Sequence, residues 1–364
     1  MRRFFNQTLV YVLSKLGSRY TTKRIIRNLI FLVQNRLHFP YKTSLVKALR
    51  DPNTLLVIKE RDIGFFALFL QVVSVLSLVK RNGFNCKVIV HFGKYQAYYV
   101  GQNTWTDYIE VKDFYTDEND RVELATKSFE NQVSSGLEKA WVRFGKVNRI
   151  KEDLFWTASP FPTFSKFDKT SLRLDYDIFS DDTRKEMSSI IAEHIRFKTA
   201  VTKSFDEFKS KKLEDKYVIG IHFRGTDSKH DSWRTMPNYE DMIEATKAEI
   251  QQVEAHGQEV TVAVASDEMD FIEQAVRELP NCVYFPGYRS SGDIEESSSG
   301  PQGDIMPGFV IKNPQEALKS VIYDYLLLCQ SNILIHSVSS SVTKSVLLTN
   351  PSIQSRLVKK ESNI

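Results

Sequence analysis

Two rhythms of apolar and polar positions run along this chain. Near the start, Phe5, Leu9, Val12, Leu13 and Leu16 recur at helical spacing until Gly17-Ser18 interrupts them. Ile25, Ile26, Leu29, Val33 and Leu37 then repeat the pattern as far as Pro40. Both stretches predict short amphipathic helices. From residue 53 the rhythm changes. NTLLVIKE (53–60) predicts a strand, GFFALFLQVVSVLSLVKRNG (64–83) a turn and buried helix, and CKVIVHF (86–92) a second strand. A strand–helix–strand unit of this kind builds a parallel sheet. Residues 184–212 read as one long helical stretch, after which the strand–helix alternation resumes. KYVIGIHF, VTVAVAS, CVYFP and NILIHS predict strands; 237–254, EMDFIEQAVREL, 313–331 and the stretch from 340 predict helices.

The expected architecture is α/β: basic N-terminal helices over 1–50, a first Rossmann-like domain over 51–195 and a second over 196–364. The chain of 364 residues has room for both. GYRSSGDIEESSSGPQGD (287–304) is too long for a tight turn and reads as either a lid or a surface loop.

Composition separates the N-terminus from the body. Residues 1–50 hold eleven Lys and Arg and no acid, whereas 51–364 carry 38 basic against 45 acidic residues. Basic amphipathic helices suit an anionic membrane surface, so residues 1–40 are expected to attach there peripherally. Packing on the acidic body is the other reading of the same charges. No run reaches the roughly 18 apolar residues a transmembrane helix needs, and no small-residue cleavage site marks a signal peptide. Cys86, Cys282 and Cys329 lie far apart, which fits a reducing compartment. The expected location is therefore the cytoplasm, at the inner face of the membrane, and no nucleic-acid partner is expected.

Three strands of the second half end in polar clusters: HFRGTD (222–227), ASDE (265–268) and HSVSSS (336–341). In a parallel α/β sheet the carboxyl ends of the strands line one crevice, where ligands bind. Arg224 offers a planar fork to a phosphate. Ser339 to Ser341 enter a helix and can aim hydroxyl and backbone N–H groups at an anion. Serines before a helix also serve as N-caps, as Asp267 can, and Asp324 inside an apolar helix reads by default as exposed or ion-paired. Together the clusters point to a diphosphate-bearing ligand. No GxGxxG follows the first strand of either half, and no GxxxxGK[ST] occurs. DYD (175–177) has a metal-binding form but reads as a surface segment, and His91, His194 and His256 show no metal-ligand spacing.

IGIHFRGTD with its downstream Pro237 and Tyr239, VAVASDEMDFIEQAVRELPN and DYLLLCQSNILIHSVSSSV resemble the three motifs of the fucosyltransferase superfamily. That superfamily includes α1,6-fucosyltransferases, nodulation fucosyltransferases and protein O-fucosyltransferases. The resemblance covers roughly 215–348, and more loosely 55–110. It implies a GT-B fold of two facing Rossmann-like domains, acceptor side first and donor side second. It also implies an inverting enzyme without metal or other cofactor, moving a sugar from a GDP-sugar onto a glycan or its lipid-linked precursor. Carried over residue by residue, Arg224 binds the donor diphosphate beside His222. Asp324 reads the guanine and Ser340 lies near the phosphates; Ser339 and Asp267, from the strand-end clusters, join them as candidate nucleotide-binding residues. An inverting transfer needs a carboxylate to take the acceptor proton, and Asp231 falls near the place of the α1,6 branch's proposed acid. Gly225 departs from the family's second arginine, which puts the donor sugar in question. Its lack of a side chain reads as a means for the backbone to approach a ligand. The same scaffold with another donor, and a non-catalytic glycan- or nucleotide-binding protein, are the alternatives.

Overall fold

The computed structural model describes residues 45–60, 63–94, 98–99, 101, 103–110, 119–134, 147–158, 180–225, 237–289, 313–337 and 340–358. The N-terminal helices, Asp175 and Asp177, Asp227, Asp231, Ser339 and most of the 287–304 loop lie outside the described residues.

β1 (Leu55–Lys59) is buried at every position, as a strand covered on both faces must be. It pairs in parallel with β2 (Lys87–His91) and β5 (Leu154–Thr157), and β4 (Val147–Lys151) adds an antiparallel edge. Alternate residues of β1 feed opposite faces. Leu56 and Ile58 pack with α1 (Phe65–Arg81), whereas Leu55 and Val57 join Ala125 and Phe129 of α3 (Asn119–Ser134). α1 is apolar nearly all round, which suits a helix enclosed on all sides. The short helix α2 (Thr104–Tyr108) leads directly into β3 (Ile109–Glu110).

The second sheet is wholly parallel, in the order β11-β10-β7-β8-β9. It comprises β7 (Tyr217–Phe223), β8 (Val260–Ser266), β9 (Cys282–Val283), β10 (Ile333–His336) and β11 (Gln354–Leu357). α6 (Tyr239–Glu254) and α7 (Met269–Glu278) cover one face through Met242, Ile243, Ile250, Phe271 and Ile272. α8 (Pro314–Leu328) and α9 (Ser341–Thr349) pack on the other side. Their Leu318, Ile322, Tyr325, Val346 and Leu347 share one hydrophobic cluster with Leu56, Phe66 and Phe69. Tyr325 stands at the seam, its ring 4.6 Å from Phe66 and 5.8 Å from Phe69. An α/β class with parallel strands was expected, and the sheets have that form apart from the antiparallel edge β4.

The long helix expected over 184–212 is two helices, α4 (Asp181–His194) and α5 (Thr199–Lys212). Between them β6 (Arg196–Phe197) pairs antiparallel with Ile109–Glu110 of β3, and Lys198 N donates to Tyr108 O at 2.9 Å. No glycine or proline marks the break. The ladder to a segment some ninety residues earlier imposes it, and Phe197 packs 5.8 Å from the Tyr325 ring. The strand expected from CVYFP shrinks to two residues, and β11, with the polar exposed sequence QSRL, carries no apolar alternation that would announce it.

Arg184 of α4 ties α4 to the end of α9. Its guanidinium donates to the carbonyls of Leu347 (3.1 Å), Asn350 (3.3 Å) and Ile353 (2.6 Å). Leu347 O belongs to the last turn of α9, Asn350 is its C-cap and Ile353 follows in the next segment. One cation thus closes the helix end and the chain leaving it, and complements the dipole. Arg184→Met should cost at least about 3 kcal/mol, since each of its three charge-assisted bonds contributes roughly 1.5–3 kcal/mol and the carbonyls would lose their partner. Urea titration should show a lower midpoint at an unchanged slope. A midpoint within error of wild type would mean that water satisfies those carbonyls.

Candidate functional site

β10, β7 and β8 are neighbours, so their carboxyl ends bring the three polar clusters side by side. His336 stands opposite His222, and Phe223 opposite Ser266. Adjacent strands lie about 4.8 Å apart, which places one cluster within side-chain reach of the next.

The chain leaving β7 is anchored from both sides. Arg224 N donates to Ser337 Oγ at 3.0 Å, and Gly225 N donates to Asp267 Oδ1 at 2.8 Å. Ser337 N returns to His222 O at 3.1 Å. Arg224, half-buried, therefore begins from a backbone fixed by β10 and β8 together. Asp267 does not cap a helix. Glu268 occupies the N-cap position of α7, without a side-chain cap bond.

His222 is buried, and its Nδ1 lies 2.7 Å from Thr343 Oγ1 in the first turn of α9. Burial, then the charge of Arg224, pushes its imidazole down to about 3, so it stays neutral. It ties β7 to the N-terminus of α9. Ser340 is the N-cap of that helix: its Oγ accepts from Thr343 N at 3.1 Å and lies 3.2 Å from Thr343 Oγ1. The capping reading of Ser340 is thus realised, at a helix end whose partial positive charge faces the crevice side of the strands.

Asp324 on α8 is buried and ion-paired. Arg289 Nη2 donates to its Oδ1 at 2.6 Å. The same guanidinium holds Phe285 O at 3.2 Å and Tyr288 O at 3.1 Å. Tyr288 N donates to Ser320 Oγ at 2.6 Å, so residues 285–289 form a strap along α8. A Cβ at Gly287 would run into Ser320, which explains the glycine there. Burial pushes the Asp324 carboxyl up to about 7 against the opposing pull of Arg289, and the charge of Asp267 raises it further. Asp267 and Asp324 therefore belong to one electrostatic neighbourhood.

Gly225 does not face an open approach. A Cβ there would fall within the Glu268 carboxylate. Glu268 is itself buried and accepts from Tyr239 Oη at 2.5 Å. Sequence reasoning placed Glu268 within the ASDE cluster without giving it a role, and assigned nothing to Arg289. Tyr239 had a motif position as its signal.

A second charged cluster closes β1 and β2 of the first sheet. Lys59 Nζ lies 2.7 Å from His91 Nδ1, 3.2 Å from Thr126 Oγ1 and 3.3 Å from Glu60 Oε2. His91, which had no metal-ligand spacing in the sequence, is thus part of a largely buried network. Among the described residues no group of three His, Cys, Asp or Glu side chains could hold a metal ion. Nor is any helix among them long and apolar enough to cross a membrane.

The neutral His222 gives a stability signature. Its pKa in the fold, about 3, lies below the 6.5 of an unfolded histidine. As pH falls below 6.5, the unfolded chain takes up a proton that the fold refuses, and stability declines by up to about 1.4 kcal/mol per pH unit. In His222→Gln, unfolding free energy should fall less steeply between pH 6 and pH 4. Equal slopes for the two proteins would show that His222 is protonated in the fold.

No protein-family model matches the chain, and no curated protein matches it in sequence. Among solved structures it is similar to NodZ alpha-1,6-fucosyltransferase soaked with GDP-fucose, at 13% identity and a TM-score of 0.49. That match covers 82% of this chain and 93% of the other. It is also similar to the fucosyltransferase NodZ from Bradyrhizobium, at 13% identity and a TM-score of 0.48 over 82% and 93% of the two chains. A third similarity is to POFUT1 in complex with GDP, at 12% identity and a TM-score of 0.45 over 84% and 98%.

Proposed function

We propose that this protein is an inverting, metal-independent GT-B glycosyltransferase that transfers a sugar, fucose first among the candidates, from its GDP-linked form to a glycan hydroxyl. The observation that carries the reading is Arg224, started from a doubly anchored backbone at the carboxyl end of the central strand β7. Beside it lies the N-terminus of α9, tied to β7 through His222 and Thr343. A guanidinium and a helix N-terminus together form a site for a diphosphate. In the reaction the acceptor oxygen forms a bond to the anomeric carbon as the bond to the β-phosphate oxygen breaks. Negative charge accumulates on the departing diphosphate, so a preorganised cation there favours the transition state over the ground state.

The roles follow. Arg224 binds and neutralises the diphosphate, aided by Ser339 and Ser340 at the start of α9. His222 positions that helix rather than touching the donor, since both its burial and its Thr343 partner point it inward. Asp267 holds the main chain at Gly225. Asp324 receives the guanine edge, and Asp231 takes the acceptor proton. The second Rossmann-like unit, over 196–364, is the donor side and that over 51–195 the acceptor side.

Arg224→Ala should lower turnover by about 10²–10³-fold, the range seen when one transition-state donor is removed. GDP release from GDP-fucose, followed in EDTA with an oligosaccharide panel as acceptors, reads this out. Near wild-type turnover in the variant would remove Arg224 from the mechanism, and loss of wild-type activity on adding EDTA would overturn metal independence.

Asp324→Asn should weaken GDP binding more than UDP binding, because only guanine offers two adjacent donors to a carboxylate. Calorimetric titration with both nucleotides decides the matter. Equal affinity losses would assign Asp324 to holding the 285–289 strap alone.

A further inference from the structure

The carboxylate of Glu268 occupies the space that a side chain at position 225 would need. The side chain, the backbone and the tyrosine partner of Glu268 are each fixed. Tyr239 Oη donates to Oε2 at 2.5 Å, and Glu268 N donates to Ser266 Oγ at 3.1 Å. The Tyr239 ring is wedged 5.0 Å from Phe223 and 5.3 Å from Phe271. Phe223 immediately precedes Arg224, and its ring stacks 4.7 Å from Phe271. Burial, and then the hydrogen bond to Glu268, pushes the Tyr239 phenol beyond its usual range, so the proton stays on the phenol.

A buried carboxylate beside an anion-binding arginine is costly by simple electrostatics, because it repels the ligand that the arginine attracts. Its presence there calls for a compensating task. The geometry points to Glu268 and Tyr239 as positioning residues for Arg224: their hydrogen-bonded pair fills the volume above Gly225 and fixes where the arginine starts. Gly225 is the other half of the interlock, since any side chain there would displace the carboxylate. The inference rests on the reading of Arg224 as the donor-diphosphate ligand. It also recasts Gly225, which is not a lost cationic contact but the space in which an acidic group sits.

The test uses the sign of the effect. Removing a negative charge near a bound diphosphate should tighten GDP if charge alone matters. Removing a positioning group should weaken it. Glu268→Ala should therefore weaken GDP, measured by calorimetry on the full chain, and lower turnover by up to about 10²-fold, the scale of a misplacement of about 1 Å. Glu268→Gln keeps the shape and an acceptor for Tyr239 while removing the charge, and should bind GDP at least as tightly as wild type does. Tyr239→Phe keeps the ring packing and should weaken GDP by a smaller factor. It serves as the informative variant should Glu268→Ala fail to fold.

Gly225→Ala should be damaging in the wild-type background and nearly neutral in the Glu268→Ala background, which is the coupling expected of residues competing for one volume. Tighter GDP binding by both Glu268 variants, GDP binding unchanged in Tyr239→Phe, or additive Gly225 and Glu268 effects would each overturn the interlock. A wild-type protein that binds no GDP would overturn the nucleotide reading and the positioning role with it. Wild-type binding retained beside an undiminished Glu268→Ala would overturn the positioning role alone.

Discussion

Everything about the crevice depends on how the main chain leaves β7. A strand that ends at a ligand site loses its ladder partners just where its backbone must stay still. Here the two N–H groups past the ladder are taken by side chains from the flanking strands, Ser337 after β10 and Asp267 after β8. This solution requires β7 to lie between β10 and β8, as the sheet order provides. Buried donors left unpaired at this position would each cost about 1–3 kcal/mol, and the turn would drift to find water. The anchoring instead transfers the rigidity of three parallel strands to one arginine. His222 extends the same rigidity to α9, because its imidazole is neutral and hydrogen-bonded within the core.

The helix that carries Asp324 carries Tyr325 as its next residue, and the two face different surroundings. Asp324 meets the strap through Arg289, while Tyr325 meets Phe66, Phe69 and Phe197 and places its hydroxyl 2.6 Å from Thr349 Oγ1. One helix thus bears both the charged contact of the candidate site and the aromatic seam with α1. Close-packed interiors transmit displacement because they hold few voids to absorb it. A shift of α1 against α8 is therefore also a shift of Asp324. The clamp from Arg184 to the end of α9 restrains the same group of helices from the far side.

The sequence was most legible where burial is complete. LLVIK, YVIGIHF and VTVAVAS read as strands because parallel strands covered on both faces must be apolar at nearly every position. α6 was equally plain, and its start carries a full capping box between Asn238 and Asp241. What stayed hidden is set by partners distant in sequence. The break at 195–198 exists because Ile109 and Glu110 pair there, and nothing in IRFK announces it. Arg289 reads as one cation in a polar loop until the fold lays it on Asp324, 35 residues away. In ASDE, sequence shows two adjacent carboxylates at a strand end. It does not show that one holds the Gly225 backbone while the other fills the space over it.

The pairing of Asp324 with Arg289 bears on which ligand the crevice suits. Burial pushes that carboxyl up to about 7 against the pull of the guanidinium that lies against it. The group therefore needs a planar donor partner when ionised, and Arg289 is that partner here. Guanine contains a guanidine unit of its own, with N1–H and the exocyclic amine presented side by side. A nucleobase edge of that kind offers Asp324 the same donors that Arg289 now supplies, whereas uracil offers a single N–H flanked by carbonyl oxygens. Exchange of one guanidine-like fork for another would leave the buried carboxylate satisfied throughout binding. Under the proposed reading, an occupant without such a fork would leave Asp324 with Arg289, so a preference for guanine would rest on the two donors its edge presents.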